Sequence, residues 1–455
     1  MQQDPEVAKR LVRIGGFVLF LNVPAKSSIG IDLTMYTTGE RFQGFKMVPP
    51  SIPHLVHWAS SEDAVRASLI VSVDPGGAVV FRWNLLKEIM EIAAIISANA
   101  KSSLPGGISC EDDNEALAFA AAAKRMALDA NLGQYPLEHL SHWKRLISHV
   151  TAESIERVRP IGGIIYADAD SNFNITLEAA LRTEGISEKL IKNKFAKAPP
   201  SLHFSSILGC GQKSKPSHRT KYAIDTSFAL VRLCRDLLKL GVPENDVANS
   251  IIGELQLSFI LFLVGQSFSA LEQWKRLVDV LCRSEDILIG KFNLGDVENE
   301  REHLDASDIL AIKISSKSHF FTDAFSIIQS QVSEIPTDTP ELTADSFLLK
   351  TFFSLSRTLS HSATLKQSLS TEEGVQDIAP IYTRIVSESV RALIVSSRSV
   401  LHWDDTDDID DDKDINSQSG RKNRVNNTSE LDELLTQLAE EGGDGDLPEI
   451  VMEDN

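Results

Sequence analysis

The sequence predicts a multidomain α+β protein: an N-terminal β-sandwich-like domain with flanking helices, a C-terminal all-α helical domain and a disordered acidic tail. Three observations carry this. Short apolar runs rich in Val, Ile, Leu and Phe, punctuated by Gly, Pro and Asp, fill residues 17–83. Apolar residues at helical spacing dominate from 221 to 400. Residues 401–455 hold 18 Asp and Glu against 4 Lys and Arg, so most of the net charge of −19 sits there and the body is close to balanced. With 455 residues, two or three domains are expected, each able to bury a core.

Residues 1–158 form the first expected domain. Asp4-Pro5-Glu6 is a helix start with proline at the first helical position, and Gly15-Gly16 stops that helix. FVLFLN (17–22), FKMV (45–48), HLVHW (54–58), LIVSV (69–73) and AVVFRW (78–83) read as strands. The Asp74-Pro75-Gly76-Gly77 turn predicts a hairpin over 69–83. Pro49, Pro50 and Pro53 hold an extended connection that excludes a central-strand position. From Leu85 to Val158 the pattern becomes helical, through ALAFAAAAKRMAL and PLEHLSHWKRLISHV.

Residues 159–220 read as a connecting region, because Gly162-Gly163, DADSNFN, Pro199-Pro200 and GCGQKSKPS all favour loops. Helices are expected at 221–240, 247–265, 269–289, 318–333, 345–359 and 376–400, making 221–400 a helical bundle or short solenoid. The charged stretch 290–306 is expected to be an exposed loop. Within GELQLSFILFLVGQSFSALEQWKRLVDVLCRSE (253–285) the first helix is apolar nearly all round and should be buried. The second carries one apolar stripe, with Glu272, Lys275, Arg276 and Asp279 opposite it. The tail, 401–455, is too acidic to bury a core of its own.

The chemistry the chain offers is sparse. Its four cysteines lie far apart without zinc-ligand spacing, and Cys234 and Cys282 sit in apolar helical patterns as expected buried thiols, which suits a reducing compartment. No G-x-x-x-x-G-K-[ST], G-x-S-x-G or H-E-x-x-H string occurs, GCGQKS lacks the frame of a phosphate loop, and the 404–414 acidic run lacks the glycine and closing glutamate of an EF-hand. No catalytic residue, cofactor or metal is therefore expected. No run reaches the ~18 apolar residues of a membrane span. No dense basic face suggests direct nucleic-acid binding. Two tail features suit partner binding: Trp403 at the entrance, and the apolar β-prone island Leu447, Pro448, Glu449, Ile450, Val451, Met452, which could add a strand to a partner's sheet edge.

The 253–285 string resembles the hallmark of the A1-cistron splicing factor family, assembly factors of the spliceosomal U5 small nuclear ribonucleoprotein (snRNP). DPEVAKRLVRIGGFVLFLNVPAKSSIGID, followed by FQGFKMVPPSIPHLVHWAS, resembles the family's N-terminal pattern, and YPLEHLSHWKRLISHVT, HFSSI (203–207) and SEIP (333–336) agree. The resemblance implies a β-sandwich-like domain followed by a VHS-like helical domain. It implies a non-catalytic assembly chaperone, cytoplasmic and nuclear, that acts in mRNA splicing. Such a protein binds the RNase H-like and MPN-type domains of the large U5 scaffold and blocks premature helicase and RNA binding. Trp403 and 447–451 match the family's tail by position, although this tail is longer and more acidic, and the protein is expected to be monomeric outside the complex.

Two other readings stand beside it. VHS-like domains also read sorting peptides, so a cytosolic trafficking adaptor is the alternative. An enzyme would need His54, His57 and Asp32 to converge in a deep pocket. Serines in and after 345–359 (Ser354, Ser356, Ser360, Ser368 and Ser370) are candidate phosphorylation sites at which added charge would release a partner.

Overall fold

The computed structural model describes residues 5–61, 64–85, 89–97, 113–160, 162–167, 202–207, 224–288, 306–315, 318–335, 347–348, 351–352 and 354–355. Helix α1 (Pro5–Ile14) starts on the expected proline, with Glu6 in its first turn and Arg13 in its last, each complementing the helix dipole.

Two five-stranded sheets follow. The first, in spatial order, is β8 (Ile89–Ile96), β7 (Ala78–Asn84), β1 (Gly16–Leu21), β4 (Gly44–Val48) and β9 (Leu132–Gln134). The second is β10 (Ile165–Tyr166), β6 (Ala67–Ser72), β5 (Pro53–Ala59), β2 (Ser28–Ile31) and β3 (Thr34–Thr37). The second sheet is antiparallel throughout, whereas β1 pairs parallel with β7, and β4 with β9.

The near-continuous apolar run of β1 is explained by its two covered faces. Val18 and Phe20 face the core between the sheets, with Val56, Trp58, Leu69, Val79 and Phe81. Leu19 and Leu21 face the other way, onto Ala116, Ala120 and Ala123 of α2 (Asn114–Lys124). Small residues on that helix allow close approach, and Asp113 caps it by accepting from the Glu115 and Ala116 N–H groups.

Three expectations for this region are corrected. The 69–83 stretch is not a hairpin: β6 and β7 belong to different sheets, and the Asp74–Gly77 turn carries the chain across the sandwich. Both strands bury side chains on both faces, so nothing in their pattern distinguishes a hairpin from a crossing. IMEIAAII at 89–96 is a strand rather than the start of the helical part; pairing with β7 decides what composition leaves open. Pro53 opens β5, the central strand of its sheet, and is tolerated because it is the first residue.

The outer face of the second sheet meets the helices. Leu55 of β5 joins Trp143 and Leu146 of α3 (Leu140–Leu146), Val158 of α4 (Ala152–Val158) and the C-terminal helices in one core. Those helices are α5 (Ser227–Lys239), α6 (Val247–Leu263), α7 (Phe268–Cys282), α8 (Glu285–Leu288), α9 (Ala306–Ser315) and α10 (Ser318–Val332), of which α9 adds to the expected set. Helix α6 is buried nearly throughout. Helix α7 keeps its Glu272, Lys275, Arg276 and Asp279 face toward solvent, as its pattern requires. Between them Gln266 takes a left-handed conformation and the Ser267 hydroxyl caps α7 by accepting from the Ala270 N–H. Cys234 and Cys282 are buried free thiols, and burial raises both pKa values. The chain divides into Met1–Trp403 and Asp404–Asn455, and every element above lies in the first unit. No helix among the described residues is long and apolar enough to cross a membrane.

Candidate functional site

The polar residues inside the apolar helix α6 define the most elaborate site of the described structure. Glu254 is buried, and its carboxylate accepts from the Ser205 N–H (2.8 Å), the Ser205 hydroxyl (2.6 Å), Gln273 Nε2 (2.9 Å) and the Arg157 guanidinium. Arg157, on α4, also donates to Glu153 Oε1 at 2.9 Å and to the Ser250 hydroxyl at 2.9 Å. Burial works against the charge on Arg157, but the two carboxylates outweigh it and raise its pKa further. Helix α4 and the 202–207 segment are thereby fastened to α6 and α7, with Leu202, Phe204 and Ile207 packed on the shared core.

Two residues on, the Gln256 side chain accepts from the His149 N–H (2.7 Å) and donates to the Arg145 carbonyl (2.9 Å) and the Ser148 hydroxyl (3.1 Å). These close the free backbone groups at the end of α3. Gly253 permits the approach, since a Cβ there would stand 2.4 Å from the His149 carbonyl oxygen. At the far end of α6, Arg66 donates to the Val264 carbonyl at 2.6 Å, placing a cation where the helix dipole is negative.

His54, His57 and Asp32 do converge, but within the core. Asp32 lies in the β2–β3 turn at φ 53°, and its carboxylate accepts from His54 Nδ1 (2.7 Å), the Tyr135 hydroxyl (2.6 Å) and the Leu55 N–H (2.9 Å). His54 Nε2 donates to the Pro49 carbonyl at 2.7 Å and Nδ1 faces Asp32, an arrangement that suits the charged form of the ring. Burial opposes that charge, yet Asp32 prevails and the His54 pKa is raised. His57 behaves oppositely. Burial first, and then the Arg66 charge, depress its pKa to about 3 against a hydrogen bond to the Asp32 carbonyl. Its ring also fills the space above Gly30, where a Cβ would lie 2.0 Å from Cε1. All three side chains are closed off from solvent, so this cluster holds the sandwich together and presents no face to a substrate. Among the described residues no group of three or more His, Cys, Asp or Glu is arranged to hold a metal.

Trp403, Leu447, Pro448, Glu449, Ile450 and Val451 lie outside the described residues, as do Ser356, Ser360, Ser368 and Ser370. The residues missed from sequence are Glu254, Gln256 and Arg157. A readable signal existed, because a carboxylate in a helix apolar on every side must find a buried partner.

Two family models match in order along this architecture. The AAR2 N-terminal domain matches residues 14–160, and the AAR2 C-terminal repeat region matches residues 204–380. The chain belongs to the AAR2 family. This is the A1-cistron splicing factor family, so the membership supports a role related to splicing. Curated relatives agree. Protein AAR2 homolog of Homo sapiens is 28% identical over 394 residues, covering 81% of this chain and 89% of that protein. The Mus musculus homolog is 28% identical over 398 residues, with 81% and 89% covered. The Caenorhabditis elegans homolog is 26% identical over 305 residues, with 61% and 74% covered. The AAR2 N-terminal match ends beside α4, and the C-terminal match takes in Ser205, so the Glu254 network ties one matched region to the other.

Proposed function

We propose that this AAR2 family member is a non-catalytic assembly chaperone of the U5 snRNP in pre-mRNA splicing. It binds the C-terminal RNase H-like and MPN-type domains of the large U5 scaffold protein and blocks premature helicase and RNA binding. The observation that carries this reading is the match of both AAR2 models, in order, to residues 14–160 and 204–380. The structure adds a supporting point: the convergent polar clusters at Glu254 and Asp32 are spent on internal cohesion. In this reading the helical region is VHS-like, the tail is a flexible acidic arm, and Trp403 with 447–451 engages the scaffold by strand addition. The acidic flanks steer encounter toward a basic surface, and the protein is monomeric when free and passes between cytoplasm and nucleus.

The test is a pull-down of the full chain with the scaffold's RNase H-like and MPN-type domains. Retention by those domains, lost when helicase is present in excess, is the expected result. Recovery of coat or sorting proteins without the scaffold would overturn the proposal in favour of a trafficking adaptor.

A further inference from the structure

Asp225, Thr226 and Ser227, at the start of α5, are fastened to the end of α7 and to the short helix α8. Asp225 is buried, and its Oδ1 accepts from the Ser227 N–H (3.0 Å), the Ser227 hydroxyl (2.7 Å) and, across 60 residues of sequence, the Glu285 N–H (2.9 Å). The Ser227 hydroxyl accepts in turn from the Ile287 N–H at 3.1 Å. The Thr226 N–H donates to the Arg283 carbonyl at 3.0 Å, and its hydroxyl to the Val280 carbonyl at 2.9 Å. A second carboxyl enters this cluster, since the Asp286 side chain hydrogen-bonds that of Asp225. Two ionised carboxylates offer each other only acceptors, so that contact needs a proton between them. The other charged groups described around the cluster are Glu285 of α8 and, at the end of α7, Arg283. The Arg283 guanidinium is held by Asp279 at 3.1 and 3.2 Å and by the Ile224 carbonyl at 3.1 Å. On α9, which packs along α5, Lys313 turns to Glu244 at 3.8 Å.

We propose that Asp225 and Asp286 form a proton-dependent latch in the helical region. With one proton shared between them they clamp α8 onto the start of α5; without it the two carboxylates repel and the clamp loosens. Burial first, and then the Asp286 carboxyl, push the Asp225 pKa up from an ordinary 3.8 to about 6 against the Ser227 bonds. The closed latch therefore holds a proton that the opened one releases. Its added stability is full below about pH 3.8 and is lost as the pH rises through about 6. Helix α8 is thus held most loosely in neutral solution and tightens on acidification. The inference goes beyond the scaffold reading and does not depend on it.

The test is hydrogen exchange of the full chain at pH 7.5 and pH 5, read by mass spectrometry of peptides covering 284–288. Each rate is divided by that of the same peptide free in solution. The Glu285 and Ile287 N–H groups are the reporters, since both donate into the latch. Their protection should rise about tenfold on acidification. Asp286→Asn places a permanent N–H donor beside Asp225 and should remove that response, leaving both amides protected at either pH. Asp286→Ala removes the repulsion without adding a donor and should remove the response too. His54 and His57 are present in all three proteins, so the difference between native protein and variant isolates the pair. An equal pH response in native protein and Asp286→Asn would overturn the proposal, as would protection at pH 7.5 that falls in Asp286→Asn.

Discussion

Glu254 holds Ser205 by two bonds, one to its backbone N–H at 2.8 Å and one to its hydroxyl at 2.6 Å, across 49 residues of sequence. The same carboxylate receives Arg157, so one side chain in the middle of a buried helix fixes two other pieces of chain.

Breaking that junction at the carboxylate should be severe. Glu254→Ala leaves the Arg157 cation buried without its main partner and should cost about 3–5 kcal/mol in urea unfolding. Ser205→Ala should cost about 1 kcal/mol, because the backbone bond survives. A double-mutant cycle between Glu254→Gln and Arg157→Met should give a coupling above about 1 kcal/mol. Additive losses would show that the contact carries no energy of its own.

Gly253→Ala should destabilise by about 1–3 kcal/mol, since the His149 carbonyl must retreat from the new methyl group. Gln256→Leu should cost a similar ~1–3 kcal/mol by orphaning the His149 N–H. Hydrogen exchange at His149 distinguishes the two. It should accelerate most in Gln256→Leu, and equal rates would contradict this account.

His57 predicts acid sensitivity. Its folded pKa of about 3 lies below the ordinary value of 6.5, so the unfolded chain binds the proton more tightly. The stabilisation is full above pH 6.5 and is lost as the pH falls toward 3, amounting to about 2 kcal/mol between pH 7.5 and 5. His54 has the opposite sign: its raised pKa favours folding at low pH, and that contribution fades as pH rises through its folded value. On going from pH 7.5 to 5, the native protein should lose more thermal stability than His57→Gln, which keeps the His54 contribution but not that of His57. Parallel curves would remove His57 as the cause.

Deletion of 401–455 should weaken scaffold binding while leaving the thermal melt of the remaining chain almost unchanged, as no described element lies in that unit. An unaltered dissociation constant would show that the tail plays no part in recognition.

Much of this fold can be read from residue pattern alone, for identifiable reasons. The runs at 17–22, 45–48, 54–58, 69–73 and 78–83 became strands because each is short, β-branched or aromatic and bounded by turn residues. The strand at 89–96 was unreadable because Ile, Met and Ala suit a helix equally and an Ala-rich helix follows. The crossing at Asp74–Gly77 was unreadable because a turn states that the chain reverses, and says nothing of which sheet receives it. For the site, the GELQLSF motif marked the right helix but drew attention to its apolar residues. The informative letters were Glu254 and Gln256, the two that solvation energy forbids there unless something distant pairs with them.

The shared core that runs from Leu55 of the sandwich into the C-terminal helices has a consequence for any ligand that touches both halves. Two lobes on a hinge must be brought to one relative orientation before a bridging partner gains its second set of contacts, and that ordering is subtracted from affinity. Here the spacing is set during folding. A bridging partner therefore meets a ruler of fixed length, and mismatch must be absorbed by the partner's own shape.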